Sequence, residues 1–249
     1  IKDLMEMYCR ALAGTEVSLA ASGELAEKNI GWVSDEAPST EGSTVFVPSS
    51  VDRYGSKEEN FGWFKVVSTH QVAHLEFGSF HFEYDRPSTL FSDFRPRIEV
   101  RAPAEGVQDF AEMDGGGVGR TWATDLQRFF DIFEDRKLAL DVFTVVEDSR
   151  LDARVKAEYP GISGAYSRVQ DDSAEGRPDI ESLPAREAVV EFLVRVSLHQ
   201  YEALSVPKRY VEEARKAARI ARRVLRAGAT VEDTAEATLR IYAVLAQIP

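Results

Sequence analysis

The stretch His70-Gln71-Val72-Ala73-His74 decides how this chain is read. Residues four apart on a helix share one face, so two imidazoles at this spacing can converge on one divalent ion. The surrounding sequence predicts the helix. Ser56-Lys57-Glu58-Glu59 has the spacing of a capping box, with Ser56 as N-cap and Glu59 reaching back. Phe61, Phe64, Val67, Ala73 and Leu75 then supply apolar positions to about Phe77, which leaves both histidines near the helix end.

The residue between the histidines sets the chemistry. A zinc peptidase of this layout places Glu directly after the first His as its general base. Gln71 stands there instead, and an amide oxygen can orient a water but cannot take its proton. A third ligand is expected from another helix. Glu147 follows the apolar run Leu138–Val146 and is the candidate, completing a zinc site of His70, His74 and Glu147. Asp148 or Asp152 would then hold an imidazole N–H from behind. The competing reading has one packed and one solvated histidine, with Glu147 paired to Arg150 or Arg154.

Working outward, Ile1–Ala13 has Leu4, Met5, Tyr8, Cys9 and Leu12 at helical spacing, closed by Gly14. Residues 38–43 read as a turn and Thr44–Pro48 as a short strand ended by proline. Ser79–Tyr84 reads as a second strand, and the Pro- and Gly-rich residues 87–119 as loop. Thr124–Glu158 predicts two helices broken near Glu134–Arg136. Gln170–Pro178 is polar and charged, as a mobile linker would be. Three helical patterns follow: Pro184–Leu204, Pro207–Ala227 and Thr230–Gln247, the last with Thr230 and Asp233 at capping distance. The expected fold is mainly α with a small β-sheet: a zincin-like helical core over residues 1–169, a linker at 170–182, and a helical region over 183–249.

Composition narrows the function. A chain of 249 residues can bury a core without disulfides. The single Cys9 excludes an internal bridge and fits a reducing, cytoplasmic setting. No apolar run nears the roughly 20 residues that span a bilayer, so no membrane insertion is expected. A net charge of −12 argues against non-specific nucleic-acid binding. Charge is uneven, however. Lys208, Arg209, Arg215, Lys216, Arg219, Arg222, Arg223 and Arg226 cluster in one stretch, which reads as a docking face for an acidic partner or as a solvated helix face.

Other signals carry less. Asp114–Thr121 lacks the first Gly and the Lys of a phosphate-binding loop. Cys9 lies on an apolar stripe, a poor place for a nucleophile. His81 and His199 read as packing or surface residues.

Several runs, taken in order, resemble a known family. They are Glu41–Pro48, His70–Phe80, Val146–Arg154 and Tyr159-Pro160-Gly161. The chain is similar, from about Tyr8 to Gly161, to the N-terminal region of the von Willebrand A-containing proteins typified by NorD and CbbO, activation factors for nitric oxide reductase and Rubisco. The resemblance implies an adaptor that works with a MoxR-type AAA+ ATPase on a target protein, with a degenerate zinc-peptidase helix pair. The von Willebrand A domain of the family does not fall within these residues, and no Asp-x-Ser-x-Ser run occurs in them. The rival expectation is a zinc metallopeptidase that uses the same three ligands and recruits Glu76 or Asp148 as base.

Overall fold

The computed structural model describes residues 2–22, 39–99, 124–198 and 206–249. Its centre is the histidine helix. Ser56 caps that helix by accepting from the backbone N–H of Glu59 at 3.2 Å, while its hydroxyl donates to the Glu59 carboxylate. The helix, α2 (Lys57–Glu76), buries two faces. Val72, with Phe64 and Val67, faces α1 (Lys2–Ala13) and the sheet, where Met5, Cys9, Val17, Leu19, Val45 and Val47 complete an apolar layer. Val66 and Ala73 face Leu151, Val155, Ile162 and Tyr166 on the other side. A helix with two buried faces shows no single apolar stripe; of the two hydroxyls it carries inside, Thr69 bonds back to the Lys65 carbonyl, whereas the Ser68 hydroxyl has no partner among the described residues.

The sheet has three strands in the order β1-β3-β2: β1 (Ser18–Ala21), β2 (Ser39–Glu41) and β3 (Thr44–Val47). β1 runs parallel to β3, pairing Leu19 with Val45; β2 is antiparallel, pairing Thr40 with Val45. Only β3 is visible in the sequence. Residues 39–41 fall in the expected turn because just Gly42 and Ser43, with Gly42 at φ 57°, make the reversal.

Helices build the rest. Short α3 (Arg95–Glu99) and α4 (Asp125–Phe130) precede α5 (Arg136–Glu158), and the predicted break falls between the latter two. α6 (Ser163–Glu175), α7 (Ala185–Ser197), α8 (Val211–Ala221) and α9 (Val231–Leu245) follow. α5 packs on α2 at one end and on α7 and α9 along its length, so it joins the histidine layer to the C-terminal helices. The mainly α fold with a small sheet is therefore as expected, and no helix among the described residues is long and apolar enough to cross a membrane.

Three local expectations are corrected. Residues 87–119 are not loop throughout, because α3 occupies Arg95–Glu99. Ser79–Tyr84 is not a strand: Gly78 adopts φ 74°, and Ser79–His81 forms a single 3-10 turn. Gln170–Pro178 is not a linker through its length: α6 continues to Glu175, and Gln170 is buried against α5. Polarity misleads there because Tyr166 and Gln170, four apart, use their polar atoms inside the protein. Asp114–Thr121 and His199 lie outside the described residues. Cys9 is fully buried, and burial pushes its thiol up to about 11, as suits a packing residue. His81 is exposed.

Candidate metal centre

His70 and His74 project from α2 toward α5, their rings edge to face with centroids 5.4 Å apart. The acid that meets them is Asp148. Its Oδ1 lies 3.6 Å from His70 Nε2 and 3.9 Å from His74 Nε2. One ligand atom from each of the three residues falls within 4.8 Å of the others, so the group could hold a metal ion. A tetrahedral ion with bonds of about 2.0–2.2 Å sets its ligand atoms roughly 3.3–3.6 Å apart. Two of these separations match or nearly match that spacing. Side-chain exposures of 20% for His70, 19% for His74 and 39% for Asp148 leave the centre reachable from solvent.

Glu147, expected as third ligand, is elsewhere. Its carboxylate is buried, turned by about one residue's helical rotation from Asp148 and tied up in a network of its own. Oε1 accepts from Ser79 Oγ at 2.5 Å and from Arg150; Oε2 accepts from Arg150 Nε at 2.8 Å and from Thr234 Oγ1 at 2.6 Å. Burial alone would raise its pKa, but Arg150 and the two hydroxyls hold it below the usual carboxylate value. Four donors occupy both oxygens, which leaves no lone pair for an ion. The pairing with Arg150 is the competing arrangement that the sequence left open.

Both imidazoles are fixed from behind. His70 Nδ1 meets Asp152 Oδ1 at 2.8 Å, and Tyr166 and Gln170 also donate to that carboxylate. His74 Nδ1 meets Ser79 Oγ at 3.1 Å. Ser79 has one proton and gives it to Glu147, so its oxygen must accept from His74, whose Nδ1 then carries the hydrogen. The lone pair of His74 falls on Nε2, facing Asp148. Carboxylates behind ligand imidazoles are the usual outer layer of a metal site. Gly78 makes this possible, because its left-handed backbone folds Ser79 back beneath His74.

Electrostatics differ between the rings. Burial would lower the pKa of His70, but Asp152 and Asp148 hold it well above its ordinary value. Without metal, His70 is an imidazolium bridging two carboxylates. His74 is pushed down, first by burial and then by the charge on His70, and stays neutral. A divalent ion at the centre would replace the His70 Nε2 proton.

Gln71, in the base position, turns away to the sheet. Its Oε1 accepts from Thr40 Oγ1 of β2 at 2.9 Å. The other proposed bases are also engaged: Asp148 belongs to the ligand group, and Glu76 accepts a hydrogen bond from Tyr159. A cavity of about 700 Å³ opens elsewhere, beside Leu19, Val47, Phe61 and Phe64, and no histidine lines it.

Asp148 was visible in principle. Asp148 and Asp152 are spaced i, i+4 on α5, as His70 and His74 are on α2, and matching spacings on two packed helices bring four groups together. Ser79 had no sequence signal. If its role is to fix the tautomer, Ser79→Ala should lower zinc affinity by about 10–100-fold in a chelator competition, with the fold intact. Unchanged affinity would remove it from the site.

Comparison with protein-family models, with curated proteins and with solved structures finds no match to this chain.

Proposed function

We propose that this chain is a non-hydrolytic adaptor that holds a divalent metal, zinc by its ligand set, at His70, His74 and Asp148. The carrying observation is the side chain of Gln71, an amide bonded to Thr40 where a hydrolase needs a carboxylate facing its metal-bound water. Two imidazoles and one carboxylate suit zinc and leave one position open, as at a catalytic centre. No base accompanies that position, so the ion orders the α2–α5 junction or grips a group of another protein. The family resemblance supplies the partner: a MoxR-type AAA+ ATPase whose ATP hydrolysis this domain directs to a target protein.

The metallopeptidase reading uses the same ion. It is the weaker one because Asp148 cannot serve as both ligand and base, and Glu76 is tied to Tyr159. Losing a general base costs about 10²–10⁴ in rate. Purified protein should carry close to one zinc per chain and leave peptide substrates uncut. Zinc-dependent cleavage by wild type, lost in His74→Ala, would establish the enzyme instead. Gln71→Glu puts a carboxylate at the base position, and cleavage by this variant would require that side chain to leave Thr40 and swing toward the ion. Co-purification with the ATPase tests the adaptor role separately, and association that survives deletion of this whole domain would end it.

A further inference from the structure

The cationic stretch of residues 208–226 presents one face. α8 and the 3-10 turn that follows it, Arg222–Leu225, bury Ala214, Ala217, Ala221 and Val224 against the helical core. On the opposite side, Arg215, Lys216, Arg219, Arg223 and Arg226 are all exposed at spacings of three and four residues. Residues 208–226 contain eight basic side chains against only Glu212 and Glu213, a surplus of six. The whole chain has a net charge of −12, so the remainder carries −18. Ordinary solvated helices intersperse both signs, because like charges at i, i+4 repel. Among the described residues Arg215 pairs with Glu212 at 3.1 Å, and Arg223 leans on the Phe91 ring. Lys216, Arg219 and Arg226 make no ion pair among the described residues.

We propose that this face is a docking surface for an acidic face of a protein partner. Its length favours a protein over nucleic acid. The helix and turn extend for roughly 25 Å. A longer polyanion would run off onto a body of strongly negative charge, whereas an acidic helix or loop of similar length would not. Residues 208–226 contain a single aromatic side chain, Tyr210, and it is partly buried against the helical core with Arg209 over its ring, so the face offers no row of rings on which bases could stack. The face is well apart in sequence from the metal centre and does not depend on it. If the adaptor reading holds, this is the surface through which it would be held.

Labelled poly-L-glutamate and an oligothymidylate of equal length serve as probes, measured by fluorescence anisotropy with the full chain. Poly-L-glutamate should bind at low salt and weaken by about tenfold or more at roughly 0.3 M salt. The double variant Lys216→Glu, Arg219→Glu should weaken binding by at least about tenfold, while Lys216→Arg, Arg219→Lys should bind as wild type. Both positions are exposed, and thermal melts check that neither variant is unfolded. Equal binding by the charge-reversed protein would overturn the proposal, as would tighter binding of oligothymidylate. Self-association at low salt, abolished by the same charge reversal, would replace the acidic partner by a second copy. Loss of ATPase association with poly-L-glutamate binding intact would strike the adaptor reading and leave this face standing.

Discussion

Arg150→Ala should be the most damaging single substitution in this chain, removing about 3–5 kcal/mol of stability. Arg150 is fully buried, and its guanidinium ties three elements together at once. It donates to both oxygens of Glu147, to the Ala229 carbonyl at 3.1 Å and to the Phe77 carbonyl at 3.2 Å. Glu147 in turn takes the hydroxyls of Ser79 and Thr234. The end of α2, the 3-10 turn, α5 and the start of α9 therefore meet on one ion pair. Truncating the arginine strands a buried carboxylate and two backbone carbonyls. Domains are stable by only about 5–15 kcal/mol, so the variant should be largely unfolded or close to it at 37 °C. The contrast is Lys137→Ala, whose partner Asp141 lies on the surface and whose own side chain is 87% exposed; that change should cost under about 1 kcal/mol. Urea denaturation of both variants at one pH checks the pair. A double variant, Glu147→Leu with Arg150→Met, should lose less than Arg150→Ala, because no charge is left without a counterion. A loss below about 1 kcal/mol for Arg150→Ala would show that this network does not hold the elements together.

That network also marks where sequence reasoning stops. Helices with a regular apolar repeat were legible: α1, α7 and α9 repeat apolar residues at three and four, and the caps of α1 and α9 are written in Gly14, Thr230 and Asp233. So was the pair of histidines, because a spacing of four needs only the helix to be right. The third ligand was not, since Glu147 and Asp148 are neighbours and helix rotation by about 100° decides which faces α2. The apolar run before Glu147 correctly implied burial. Burial selected it for a salt bridge, whereas the half-exposed Asp148 reached the imidazoles. α6 was hidden for a related reason: Tyr166 and Gln170 look like solvent-facing polar residues until Asp152 is placed beside them. β1 and β2 are too short to show a period, and they exist because β3 offers two edges. In each case the missing information was tertiary, a partner distant in sequence.

Zinc should stabilise this protein more as pH rises, because the metal and a proton compete for His70 Nε2. In the metal-free protein, Asp152 and Asp148 hold His70 protonated well above the pKa of about 6.5 that it has in the unfolded chain. A folded-state pKa raised in this way contributes stability that is complete below pH 6.5 and is lost as pH climbs through the folded value. Asp152 works in the other direction: burial opposes its charge, but His70 and Tyr166 depress its pKa, so its contribution is present above about 3.9 and lost as pH falls through the depressed value. Metal-free protein should accordingly weaken on the alkaline side of pH 6.5. Zinc binding must expel the His70 proton, which costs most at low pH and nothing once that proton has left. Melting curves between pH 6 and pH 9 should separate progressively with and without zinc. Free zinc at 100 times its dissociation constant should add about 2.7 kcal/mol. Asp148→Asn should abolish that gain while leaving the His70–Asp152 bond in place, and His74→Ala should abolish it as well. Since Glu147 has no free lone pair, it cannot substitute for Asp148 in the variant. Zinc stabilisation that persists undiminished in Asp148→Asn would remove Asp148 from the centre, and a zinc effect that shrinks as pH rises would contradict the proton competition itself.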